Sequence, residues 1–458
     1  MYTLVAIAGL GILCLIAEIF NLRKAIVPVT ILGLLGSLVL NLADYGKTLS
    51  HFNNMIITDA FSVAFTSLFI ILAIFLIALT PTVHKEHKAK ISDFVAIKLF
   101  LLTGAIAMVT FGNLAMFFLG IEILSISLYV LAASEPKNLK SNEAGMKYFL
   151  MGAFASGIIL FGIALIYGAI GSFDTGVIYG ALLENNNIPG WFFIGIVMLT
   201  IGLLFKIAAV PFHFWAPDVY EGSPTLTTAT MSTLTKVAAM ASFFKLMTTL
   251  NRTVPGSYIT IISTVAILSM TVGNIMALRQ NSVKRMLAYS GISHAGFMLM
   301  VFFSPTFTAG TLFYYAAAYT FAGIASFAVV LFVCTNKGNE DVYNFNGLGK
   351  TNPLMAGILT CSLLSMAGIP IFSGFFAKFF LFHQVFNSGH VAIVIVAIIN
   401  SIISLGYYFK LIIAMYTKES TAEKQTVPFS YGAVALIALV LNIAMGLYPS
   451  FALEFIFR

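Results

Sequence analysis

Three lysines sit near the middle of long apolar segments: Lys206 in GLLFKIAAVPFHFW, Lys236 in STLTKVAAM and Lys378 in GFFAKFFLF. One glutamate, Glu122 in FFLGIEILSISLYVL, lies at comparable depth, whereas Glu18 and Glu454 lie nearer segment ends. An ammonium at the centre of a bilayer costs about 2.5 to 3.5 kcal/mol on insertion scales, so each deep lysine needs a reason. A buried ammonium without a counter-charge holds its proton less tightly than one in water, and can load and release it near neutral pH. A row of such groups linked by water is a proton relay, and Glu122 beside one of them is a switchable counter-charge. The competing reading, buried ion pairs that only fix helix packing, runs short of carboxylates.

The other basic residues within apolar segments have plainer explanations. Lys98, Lys245 and Lys410 lie within about two turns of a segment end, where a lysine lays its stem along the helix and puts its ammonium at the interface. Lys147 follows Glu143 by four residues, the spacing of a local helical pair. His213 beside Pro211 and His294 in AYSGISHAGFM can titrate near neutrality and are secondary relay candidates. Asp218 and Glu221 in APDVYEGSP are expected to cap the next helix or lie in a loop.

These residues must be positioned by helices. The 458 residues are 60% hydrophobic and only 9% charged, and apolar runs long enough to cross a hydrocarbon core recur throughout. The reading is an all-α polytopic membrane protein with about fourteen transmembrane spans: 3–21, 25–42, 56–79, 94–111, 113–133, 143–170, 190–221, 225–250, 257–278, 286–304, 308–334, 352–386, 390–416 and 428–449. The N-terminus has neither a basic start nor a small-residue cleavage site, so it reads as a retained first span.

A net charge of +7 has a topological explanation, which makes nucleic-acid binding a poor reading. Arg23, Lys24, Lys85, Lys88, Lys90, Lys137, Lys140, Arg279, Lys284, Arg285, Lys337, Lys350, Lys418 and Lys424 fall in loops on one side, and only Lys47, Arg252 and Arg458 on the other. The first side is therefore cytoplasmic and both termini lie outside. Cys14, Cys334 and Cys361 have no metal-ligand spacing and read as packing residues. No phosphate loop, CxxC, HExxH or GxSxG motif is present, so no site for covalent catalysis or an electron carrier is indicated.

Spans seven and twelve are expected to be broken, the first by Pro211 and Pro217, the second by Gly368, Pro370 and Gly374. Breaks at membrane depth are tolerated where freed backbone groups face protein or a water-lined cavity. Their five-span separation makes equivalent helices antiparallel, which suggests two inverted five-helix repeats, spans 4–8 and 9–13, with matched breaks and lysines. The corresponding divisions are 1–93, an N-terminal three-helix segment; 94–250 and 251–416, the two repeats; and 417–458, a C-terminal helix.

Three runs carry a family resemblance: FKIAAVPFHFWAPDVYEGSPT, NSVKRMLAYSGISHAGFM and GIPIFSGFFAKFFLF. In this order, within a likeness that covers nearly the whole chain, they closely resemble the antiporter-like membrane subunits of respiratory complex I, the proton-translocating NADH:quinone oxidoreductase. The resemblance implies relay roles for Glu122, Lys206, Lys236 and Lys378, and places Lys147 near the glutamate. M-type members, like the D subunit of multisubunit cation/proton antiporters, typically have glutamate where this chain has Lys378. L-type members add a long lateral helix and further spans, whereas this chain ends at Arg458, which leaves the third type. The resemblance further implies no cofactor in this chain, with flavin mononucleotide, iron–sulfur clusters and quinone in partner subunits. It implies other membrane-arm subunits as partners and a bacterial inner-membrane location. Rival readings are a cation/proton antiporter subunit, a related redox complex with a donor other than NADH, and a structural scaffold whose deep charges only fix packing.

Overall fold

The computed structural model describes residues 1–83, 91–184, 188–250, 256–303, 309–418 and 425–450. Lys85, Lys88, Lys90, Arg252, Lys424, Glu454 and Arg458 lie outside the described residues. The chain begins with α1 (Tyr2–Ile19) and α2 (Arg23–Leu42), then a small antiparallel hairpin of β1 (Leu49–His51) and β2 (Ile56–Thr58), the only strands in an all-α protein among the described residues. There follow α3 (Ala60–Ala78), α4 (Thr80–Val83), α5 (Ile91–Thr110), α6 (Leu114–Ala132), α7 (Leu139–Ile170), α8 (Thr175–Leu183), α9 (Gly190–Lys206), α10 (Trp215–Gly222) and α11 (Thr225–Thr230). A π-helical turn, Met231–Thr235, leads into α12 (Lys236–Leu250). The remaining helices are α13 (Gly256–Leu278), α14 (Val283–Leu299), α15 (Ala309–Lys337), α16 (Leu348–Thr351), α17 (Pro353–Ala367), α18 (Ser373–Asn387), α19 (Val391–Thr417) and α20 (Phe429–Leu447).

Eleven helical segments among the described residues are long and apolar enough to cross a membrane. The three expected spans missing from that set are those interrupted within: 190–221, 225–250 and 352–386. Helix starts follow local chemistry. The Asp59 carboxylate accepts from the Ser62 N–H at 2.7 Å while the Asp59 N–H donates to Ser62 Oγ, a reciprocal cap that sets the start of α3. Asn113, Asp174 and Ser282 cap α6, α8 and α14 in the simpler way.

Burial sorts the helices. Segment Val283–Phe303 and α15 are enclosed along almost their whole length, and α3 and α5 nearly so. By contrast, α1 and α2 expose most of their apolar surface, as a lipid-facing helix does. Some glycines mark close helix packing: a Cβ on Gly162 or on Gly195 would stand 2.8 Å from the other's carbonyl oxygen, which brings α7 and α9 into backbone contact. Asparagines tie helices together by reaching neighbouring carbonyls: Asn41 to Val63 at 2.8 Å, Asn274 to Asn400 at 2.8 Å and Asn442 to Ala318 at 3.0 Å.

Several basic residues are not where the sequence reading put them: Arg23, Lys24, Lys140, Lys337 and Lys350, expected in loops, lie in the end turns of α2, α7, α15 and α16, and three more differ further. Lys98 is 5% exposed and donates to Thr80 Oγ1 at 2.7 Å, so it does not snorkel. Eight residues into α5, it meets the start of α4 before its stem can reach an interface. Lys284 and Arg285 are not loop residues but lie in the first turn of α14. Lys284 is buried, 2.9 Å from the Ser223 carbonyl oxygen and 3.5 Å from Glu340. Lys245 and Lys410 do sit toward helix ends, donating to the Val109 and Gln280 carbonyls, each at 2.8 Å.

The close α7–α9 approach makes a testable demand. Gly195→Leu should destabilise by about 1–3 kcal/mol, the cost of overpacking, whereas Gly157→Leu on α7, with no neighbouring atom in the way, should be tolerated. Thermal denaturation of the purified complex carrying each variant checks this.

Candidate functional site

The first break begins at the lysine itself. α9 ends at Lys206, Ala208 takes a left-handed conformation with φ of 57°, and the Ala209 N–H closes the turn onto the Leu204 carbonyl at 2.9 Å. The helix has thus ended five residues before Pro211, which follows a cis peptide bond in the non-helical stretch. Pro217 lies in the first turn of α10, where a helix needs no N–H from it. The carbonyls freed by the break are answered by protein: Phe205 O accepts from the Ala208 N–H at 2.9 Å and from the Trp215 indole at 3.1 Å.

Lys206 is 7% exposed and donates to Ser125 Oγ at 2.7 Å. Ser125 lies on α6 one turn beyond Glu122, so the serine stands where a carboxylate would make a direct ion pair. No ion pair of 4 Å or less joins Glu122 to Lys206, and Glu122 Oε1 is buried without a hydrogen-bond partner.

The second break has a similar turn. α17 ends at Ala367, Gly368 is left-handed with φ of 91°, and the Ile369 N–H reaches the Leu364 carbonyl at 3.0 Å. Aligning the left-handed residues places Ala208 opposite Gly368, which is how GLLFKIAAVPFHFW and SLLSMAGIPIFSGF align in sequence. The lysines do not match: Met366 stands opposite Lys206, and Lys378 lies on the far side of the break, within α18. From there the Lys378 ammonium turns back to the Ala367 carbonyl at 2.8 Å and Ser401 Oγ at 2.7 Å, and lies 5.0 Å from the centre of the Phe297 ring. Its acceptor is the last carbonyl of α17, which the break leaves without a helical partner.

Lys236 is different again. It opens α12 directly after the π turn, is 2% exposed, and its Nζ has no hydrogen-bond partner within the protein. Gly291 on α14 makes room for it: a Cβ there would stand 2.7 Å from Lys236 Nζ and 3.1 Å from the Tyr319 hydroxyl. The Tyr319 and Ser232 hydroxyls are 3.2 Å apart. His294 Nδ1 lies 2.8 Å from the Tyr315 hydroxyl and Nε2 3.4 Å from that of Tyr408. A small cavity lined by His294, Tyr315, Tyr319, Ser365 and Lys378 joins the histidine to the second break.

The two remaining candidates stand apart. His213 is buried in the first break with Nδ1 unpartnered and makes no side-chain hydrogen bond to the lysines. Lys147 pairs with Glu143 at 2.8 Å and Asp218 at 3.3 Å, and not with Glu122, because its side chain turns to a half-exposed cleft near the start of α7. Six charged residues line that cleft: Lys140, Lys147 and Arg285 against Glu143, Asp218 and Glu221, a balanced set. Arg285 lies 2.7 Å from Asp218 and 2.9 Å from Glu221, so these acids clamp α10 to α14; the α11 cap position is Pro224, and no side chain caps that helix.

Sequence reasoning missed the hydroxyl partners Ser125 and Ser401, the tyrosines and the π turn. Two of them left a trace. Ser125 lies three residues from Glu122, and Tyr315 and Tyr319 share a helix face, but 18 tyrosines in an aromatic-rich chain hide such a pair.

Residues 112–404 match the family described as NADH:quinone oxidoreductase/Mrp antiporter, transmembrane. NADH-quinone oxidoreductase subunit N of Flavobacterium johnsoniae is 65% identical, the match covering 99% of both chains. The subunit N of Trichlorobacter lovleyi is 37% identical over 98% of this chain and 94% of its own. Among solved structures, respiratory complex I from Thermus thermophilus contains a chain with 29% identity and a TM-score of 0.85, covering 99% of this chain and 98% of that one. A chain of the Mrp complex from a Dietzia species has the same fold at 21% identity, with a TM-score of 0.85, covering 99% of this chain and 94% of that one.

The cleft gives a second prediction. Arg285→Met leaves two partly buried carboxylates short of their main partner and should cost about 1–3 kcal/mol, while Lys140→Met, which loses a 3.9 Å exposed pair, should cost less than about 0.5 kcal/mol. Melting of the purified complex should move for the first and stay put for the second.

Proposed function

Because the chain belongs to the NADH:quinone oxidoreductase/Mrp antiporter transmembrane family and within it to the subunit N type, we propose that it carries protons across the membrane through Glu122, Lys206, Lys236 and Lys378. The observation that carries the proposal is the way three buried ammonium groups are met. Lys206 reaches a serine, Lys378 a serine and a carbonyl, and Lys236 no protein atom; none meets a carboxylate. A structural ion pair closes on itself, whereas groups met by neutral oxygens can lose a proton without leaving a buried carboxylate stranded.

In this reading protons are taken up from the cytoplasmic side near Lys147, pass by Glu122 and Lys206 to Lys236, and leave through Lys378 to the outside. The charge on Glu122 sets how costly the ammonium of Lys206 is, so a signal from neighbouring subunits that alters Glu122 drives the stroke. NADH oxidation, flavin, iron–sulfur clusters and quinone reduction belong to partner subunits, and the other membrane-arm subunits are its neighbours. The protein is multi-pass, in the bacterial inner membrane, with both termini outside. A cation/proton antiporter could use the same lysines; the near-full-length identity to subunits named for NADH-quinone oxidoreductase favours the redox complex. Co-purification with NADH-oxidising subunits, against co-purification with membrane antiporter subunits alone, separates the two.

Lys236→Met should leave the complex assembled and abolish the share of proton pumping per electron that this subunit contributes. An unchanged pumping ratio in proteoliposomes refutes the relay. A scaffold role predicts the reverse pattern, with poor assembly and normal coupling in whatever assembles.

A further inference from the structure

We infer that Tyr319 is a further proton-transfer residue, passing protons between Lys236 and the cavity that His294 shares with Lys378; this rests on the relay reading above. Lys236 Nζ and the Tyr319 hydroxyl crowd the same point, 2.7 and 3.1 Å from where a Cβ on Gly291 would stand. They are therefore within reach of one bridging water. On its other side, Tyr319 lines the cavity of His294, Ser365 and Lys378, with its ring centre 4.8 Å from that of His294. Tyr319 is thus a side chain common to the neighbourhoods of both lysines.

Its surroundings hold the hydroxyl rather than the ring alone. Ser232, which holds the Tyr319 oxygen, belongs to the π turn that ends at Lys236, so one backbone feature places both the lysine and the partner of the tyrosine. Tyr315 and Tyr408 are already engaged by the two ring nitrogens of His294, whereas Tyr319 has no hydrogen bond to that ring. Gly291 completes the arrangement, since any side chain there would occupy the space between ammonium and hydroxyl.

The step balances without a co-reactant. An N–H bond of the Lys236 ammonium breaks and its proton passes through water to the Tyr319 oxygen; the tyrosine's own O–H bond breaks and its proton passes through water in the cavity to Lys378 in its amine form, where a new N–H bond forms. The tyrosine ends neutral, Lys378 ends as the ammonium, and Lys236 ends as the amine, ready to be reloaded from Lys206.

The test uses the intact complex in proteoliposomes, with proton pumping measured per electron and assembly measured separately. Tyr319→Phe keeps the ring and removes the hydroxyl; the expected result is the subunit's share of pumping reduced severalfold at parental assembly. A pumping ratio equal to the parent's overturns the inference, including the case where less complex assembles but its ratio is normal, which is what a packing role predicts. Lys236→Met run alongside separates the two readings. If it loses pumping while Tyr319→Phe does not, the relay stands and the tyrosine has no part in it; if it pumps normally, both fall. Should Tyr319→Phe fail to assemble, Ser232→Ala reads the same ratio: it removes the hydroxyl that holds the Tyr319 oxygen and leaves the surroundings of Lys236 Nζ as they are, so reduced pumping supports the inference and unchanged pumping overturns it.

Discussion

An ammonium enclosed by hydrocarbon is stabilised by a neighbouring oxygen, and Lys206 and Lys378 find theirs without carboxylates, while Lys236 meets no protein atom. A regular helix has no backbone oxygen to spare in its interior; it has them only at its C-terminal end, where the macrodipole also favours a cation. Lys206 is the last residue of its half-helix, and Lys378 reaches back to the last carbonyl of the half-helix before its break. Lys378 thus takes a carbonyl oxygen from the break and a second oxygen from Ser401, whereas the oxygen that Lys206 reaches is that of Ser125, on another helix.

The protein handles charge in two ways in two places. In the cleft by α7, α10 and α14, three basic and three acidic groups are interleaved and nearly all within 4 Å of a partner, an arrangement that holds helices together. In the interior the basic groups outnumber the acidic ones, an arrangement that stores a capacity to change charge. The two are mechanically joined. Arg285 and Lys284 grip the acids of α10 and the carbonyl of Ser223 just beyond it, and the same helix α14 carries Gly291 and His294 into the interior. A displacement of the second half of the broken helix cannot leave α14 where it is unless that grip is broken.

Composition and hydropathy made the helical architecture legible, because a bilayer admits so few ways to satisfy a backbone. The deep charges were legible for the same reason: Lys206, Lys236 and Lys378 violate a rule with few exceptions, and all three are buried. Lys98 was misread because distance from a segment end says nothing about which neighbour the side chain meets; Thr80 comes from another helix. Lys147 was read correctly as half of a local pair, but only in part. Its local partner Glu143 was visible at four residues, but Asp218, which helps hold it in the cleft, is 71 residues away. The π turn left no signal at all: MSTLT has the composition of any buried helix, and the extra residue per turn is imposed by what packs around it.

The serine between Glu122 and Lys206 bears on how a counter-charge can act as a switch. At 4 Å and an effective dielectric of about 20, a direct pair would be worth about 4 kcal/mol, enough to hold both charges in place and to oppose any change in either. Set one helical turn back, roughly 4.5 Å of rise along α6, Glu122 still acts on the ammonium through the field but no longer competes for its hydrogen bond, which Ser125 accepts. The lysine can then give up its proton while keeping a hydrogen-bond partner, because a neutral amine still pairs with a hydroxyl, though more weakly than an ammonium does. A carboxylate in direct contact would instead be left buried and unpaired each time the lysine discharged. The weaker arrangement is the one that can cycle.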